Sequence, residues 1–82
     1  MYAAFRKGKW IEYTPSVTAS SDPRWTDSHK NIAAAIYATL TVRGVNERNA
    51  IKLSEAYVFK QLYPGLEYEA AFEKEISSIT RE

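Results

Sequence analysis

Apolar and polar positions change their spacing along this chain, and each change marks an element. Residues 1–13 read as two short strands around Lys7-Gly8, a two-residue turn in which Gly8 takes positive φ without penalty. That turn sets Phe5 opposite Trp10, Ala4 opposite Ile11 and Tyr2 opposite Tyr13. Phe5 and Trp10 then share one face, with Tyr2, Ala4, Ile11 and Tyr13 on the other. A lone hairpin is marginal, so one of these faces must pack on the rest of the chain. Residues 14–26 form the connection. Pro15, a Ser/Thr cluster and Asp22-Pro23 disfavour regular structure there, except for a single helical turn over residues 22–25 that brings Trp25 to the core edge.

The period then lengthens to that of a helix. Over residues 27–43, Ile32, Ile36 and Leu40 recur four apart, widened by Ala33 and Tyr37, and Gly44 follows as the terminating residue. Asn46 is a good N-cap for a second helix over residues 46–63, with its helical body at 47–62. Leu53, Ala56, Tyr57 and Lys60 mark one of its stripes and Ile51, Val58 and Leu62 another, so it lies between two neighbours. Tyr63-Pro64-Gly65 ends it. A third helix is predicted over residues 66–80, with Tyr68, Phe72, Ile76 and Ile79 as a narrow apolar seam and Glu67 and Glu69 in its first turn. The fold class read from this pattern is α+β: one 82-residue domain, an N-terminal β-hairpin packed on a three-helix bundle.

Composition narrows the chemistry. There is no cysteine, one histidine and three glycines. His29 has no partner at metal-ligand spacing, Ser28 points away from it, and a phosphate-cradling loop lacks its glycines, so neither a metal site, a cofactor nor a catalytic set is expected. The paired carboxylates Glu69 and Glu73 lie on an outer helical face, where they are solvated rather than tuned for acid–base work. The chain is read as a non-enzyme. Its longest apolar run, Ile32 to Ala38, is far short of a membrane span, and the start lacks the apolar stretch of a signal peptide; a cytoplasmic protein is expected. Eleven aromatics, six of them tyrosine, suit an interface. Net charge is only +1, but residues 1–60 carry +4 and residues 61–82 carry −3.

Three constellations follow. Arg6, Lys7 and Lys9 cluster at the hairpin tip beside Phe5, Trp10 and Tyr13, where cations among aromatics suit an acidic protein patch or stacked bases. Glu67, Glu69, Glu73 and Glu75 give the third helix an acidic outer face suited to a basic groove. Residues 44–53 (Gly44-Val45-Asn46-Glu47-Arg48-Asn49-Ala50-Ile51-Lys52-Leu53) resemble the turn and recognition-helix half of a helix-turn-helix, which would aim Arg48, Asn49 and Lys52 at DNA. The preceding half departs from that motif at Leu40 and Arg43 and is too long.

The leading expectation is a module that binds another, larger protein as an inhibitor or regulator, with Trp10, Trp25 or tyrosines as anchors. In size and character the chain is similar to the short inhibitors made by phages and mobile elements, anti-CRISPR proteins among them, a likeness that rests on no motif; such a chain would work in the host cytoplasm. The alternatives are a small DNA-binding regulator using the second helix, and a structural or accessory subunit that self-associates as a homodimer.

Overall fold

A computed structural model describes residues 2–79. It is α+β, an N-terminal antiparallel hairpin followed by helices. Strands β1 (Tyr2–Arg6) and β2 (Lys9–Tyr13) pair in the expected register, Phe5 opposite Trp10 and Tyr2 opposite Tyr13. Lys7 and Gly8 both take positive φ, 49° and 79°, the requirement of a turn whose twist matches the strands.

The connection holds a helix where none was expected. Ser16 caps α1 (Val17–Ser21): its Oγ accepts from the Ala19 amide, and its carbonyl accepts from Ser20 N–H at 2.8 Å. Residues 22–25 form the expected single turn, capped by Asp22: its Oδ1 accepts from Arg24 N–H at 2.9 Å and its carbonyl from Trp25 N–H at 3.1 Å. Trp25 is buried, edge-on to Phe59.

Helix α2 (Asp27–Val42) ends one residue short of expectation, with Arg43 as its cap. Gly44, at φ 94°, lets the Val45 amide reach the Leu40 carbonyl and its own amide reach Thr41, closing the helix with two bonds. The Asn46 side chain then accepts from the Asn49 amide at 2.9 Å and opens α3 (Glu47–Leu62), as predicted.

The buried stripe of α2 differs from the one read by spacing. Ala33, Ala34, Tyr37, Ala38 and Leu40 are buried, whereas Ile32 is 39% exposed and Ile36 half-buried. The reason is that α2 is covered twice, by the hairpin and by α3. Alanines at those contacts let both neighbours approach closely.

Helix α4 (Ala70–Ile79) begins four residues later than expected, and Thr80 lies outside the described residues. Residues 66–69 run irregularly along α3, fixed by the bond from Tyr68 N–H to Glu73. The seam of Tyr68, Phe72, Ile76 and Ile79 nevertheless packs on the core. The order across the molecule is hairpin, α2, α3, α4.

Candidate functional site

The hairpin decides which tip residues are free. Its inner face sets Ile11 and Tyr13 into the core, with Tyr2 and Ala4 half-buried beside them. Tyr13 is 1% exposed, so this predicted contact residue is a core residue. Alternation places it with Ile11 on the face that must pack. Arg6 shares that inner side. Its Nε donates to Thr39 on α2, and a guanidinium nitrogen donates to the Phe5 carbonyl at 2.8 Å. Tyr2 donates to Asp27 at 2.7 Å, so β1 is clamped to α2 near both ends, and Arg6 is a clasp rather than a tip cation.

The outer face carries the two rings of the constellation. Phe5 is 51% and Trp10 69% exposed, their rings edge-to-face with centroids 5.3 Å apart. Lys7 and Lys9 are exposed at the turn, Lys9 in register with Arg6.

Sequence reasoning missed a second centre. Glu55 on α3 is buried at 6% exposure and accepts three hydrogen bonds: from Tyr13 Oη at 2.5 Å, from Ser16 N–H at 2.9 Å and from Ser16 Oγ at 2.5 Å. It ties β2, the start of α1 and α3 together. No cation within salt-bridge distance of it occurs among the described residues. Burial, with the Glu55 hydrogen bond added, pushes the Tyr13 phenol pKa above its ordinary value. The signal was present: Glu55 falls within the apolar stripe of Ile51, Val58 and Leu62.

The acidic constellation is divided. Glu67 and Glu69 lie in the irregular segment before α4, not in its first turn. Glu73 is not on an outer face: it is half-buried, paired with Lys60 and bonded by Tyr68 N–H, and the Lys60 hydrogen bond holds its carboxyl below the ordinary value. Glu75 is exposed.

The DNA-facing set is also divided. Arg48, Asn49 and Lys52 are all exposed on α3, but the Lys52 ammonium stands 5.2 Å from the Phe72 ring of α4. His29 folds back on its own helix cap, its Nδ1 accepting from Thr26 N–H at 3.3 Å. No group of three metal-ligating side chains, and no helix long and apolar enough to cross a membrane, occurs among the described residues. Comparison with known protein families, curated proteins and solved structures returned no match.

Proposed function

We propose that this chain is a small non-enzymatic protein-binding module, an inhibitor or regulator of a larger protein, with the outer face of the hairpin as its contact surface. The observation that carries this reading is the exposed Phe5–Trp10 pair flanked by Lys7 and Lys9. Two large rings held on a two-stranded ribbon lose little side-chain freedom on binding, and burying each is worth ~1.5–3 kcal/mol. The lysines favour an acidic partner surface and speed encounter. The cysteine-free chain suits a reducing cytoplasm.

The test is affinity capture on the immobilised chain, run beside Trp10→Ala and Lys7→Glu/Lys9→Glu. A protein retained by the parent and lost from the Trp10 variant supports the reading. Recovery of nucleic acid alone, or protein capture indifferent to Trp10, overturns it.

A DNA-binding regulator is the second reading, favoured by the free Arg48 and Asn49 at the start of α3. Its retardation in gels should fall steeply with salt and with Arg48→Ala. An accessory subunit that dimerises through the ring pair predicts a mass that rises with concentration in light scattering and returns to monomer in Trp10→Ala.

A further inference from the structure

We propose that the cleft beside α3, between α1 and the segment leading into α4, binds an arginine side chain presented by an extended basic peptide. The cleft has a volume of about 210 Å³, and Glu55 and Ser16 line it together with the rings of Phe59, Tyr68 and Phe72. Its rings suit a flat cation.

The charge argument is specific. Two carboxylate oxygens offer about four acceptor positions. Tyr13 and the Ser16 amide occupy Oε2, and the Ser16 hydroxyl occupies one position on Oε1, all of them neutral donors. One acceptor position on Oε1 has no donor among the described residues, and no cation there pairs with the carboxylate. A guanidinium is planar, weakly hydrated and able to stack on a ring while donating in its own plane, which an ammonium cannot do.

A cation of the chain itself already stands against one of these rings. Lys52 lines the cleft, with its ammonium over Phe72. Lys52, Tyr68 and Phe72 also line an adjoining hollow of about 350 Å³, which adds the exposed Glu69 and Glu75. The combined groove therefore presents three carboxylates against one lysine, complementary to a peptide carrying a second cation beside the arginine. This site is separate from the hairpin face and stands or falls without it.

The probe is acetyl-Gly-Arg-Gly-Lys-Gly-amide, titrated into the ¹⁵N-labelled full chain, with a citrulline-for-arginine peptide as the neutral isostere. Saturable shifts are expected at the Ser16, Tyr68 and Phe72 amides with the arginine peptide and not with the citrulline peptide. Lys52→Gln, which removes the competing cation from an exposed position, tightens binding by about threefold; Glu69→Gln with Glu75→Gln, also exposed, weakens it by about as much. Glu55→Gln weakens it by about tenfold, through loss of a charge-assisted bond. Trp10→Ala leaves it unchanged, which separates this site from the hairpin surface. Equal shifts with the citrulline peptide overturn the proposal, as does the absence of saturable shifts up to ~20 mM peptide in Lys52→Gln.

Discussion

Replacing Tyr13 by phenylalanine isolates one interaction, because the ring stays and only the hydroxyl goes. The ring is buried at 1% exposure and tilted against Tyr37 with centroids 5.7 Å apart, so its packing should survive. What is lost is a 2.5 Å bond to a carboxylate that is itself buried. Glu55 then holds its charge on the two bonds from Ser16 alone. A hydrogen bond to a charged group contributes ~1.5–3 kcal/mol, against ~1 kcal/mol for a neutral one. Each kcal/mol moves the midpoint of a domain this size by ~4–8 °C, so Tyr13→Phe should melt at least ~6 °C lower, followed by circular dichroism at 222 nm.

Glu55→Gln should cost less than the buried charge suggests. Three charge-assisted bonds are set against several kcal/mol of desolvation, and the two nearly offset. The amide also fits the same partners: its oxygen accepts from Tyr13 and Ser16 N–H while its nitrogen donates to Ser16 Oγ. We expect a loss under ~2 kcal/mol. In the Glu55→Gln background Tyr13→Phe should cost only ~0.5–1.5 kcal/mol, leaving a coupling near ~1 kcal/mol in the double-mutant cycle. A melting shift under ~3 °C for Tyr13→Phe, or an identical cost in both backgrounds, would refute the idea that a charged hydrogen bond fastens the hairpin to α3.

Other outcomes follow from the same geometry. The Tyr13 phenol pKa is raised in the folded state, so its contribution is complete below the unfolded value of 10.0 and is lost as pH climbs above it; alkaline destabilisation should be smaller in Tyr13→Phe, the remainder coming from Tyr2, Tyr63 and Tyr68, which are raised too. Gly44→Ala meets nothing within 4 Å, so its cost of ~1–2 kcal/mol in chemical denaturation comes from φ 94° alone. Asn46→Ala should cost ~1 kcal/mol through the lost cap on Asn49 N–H. Trp10→Ala, by contrast, should lower stability by ~1 kcal/mol or less, since the exposed ring meets only its edge-to-face partner Phe5 in an aromatic pair.

The legible parts of the fold were those decided within a few residues. Lys7-Gly8 determines a turn, the turn determines the register, and the register determines which rings share a face. Gly44 and Asn46 likewise mark a helix end and a helix start through bonds that span three to five residues. Elements decided by distant partners were read less well. The Ser16 cap of α1 is locally ordinary, but its hydroxyl and amide are also drawn to Glu55, thirty-nine residues away in sequence. The late start of α4 depends on Tyr68 N–H meeting a carboxylate that Lys60 holds from another helix. The alanine stripe of α2 outranked its isoleucines because two neighbours compete for the same helix.

The site residues divide along the same line. Trp10 remains a surface candidate because strand alternation puts it outside, and Lys7 and Lys9 because the turn position leaves them exposed. Tyr13 was misplaced because its buried hydroxyl fastens the hairpin to α3, and half-exposed Arg6 also fastens it to α2. The helix-turn-helix likeness shows how one stretch of letters can report something more general. A glycine with positive φ, an apolar residue after it and an asparagine cap are what any tight reversal between two helices needs. Those letters therefore specify the reversal, and what the following helix face does is set by its cover. Here Arg48 and Asn49 stand on the open first turn, while Lys52, also exposed, lies against Phe72 of α4 at the edge of an acidic, ring-lined groove.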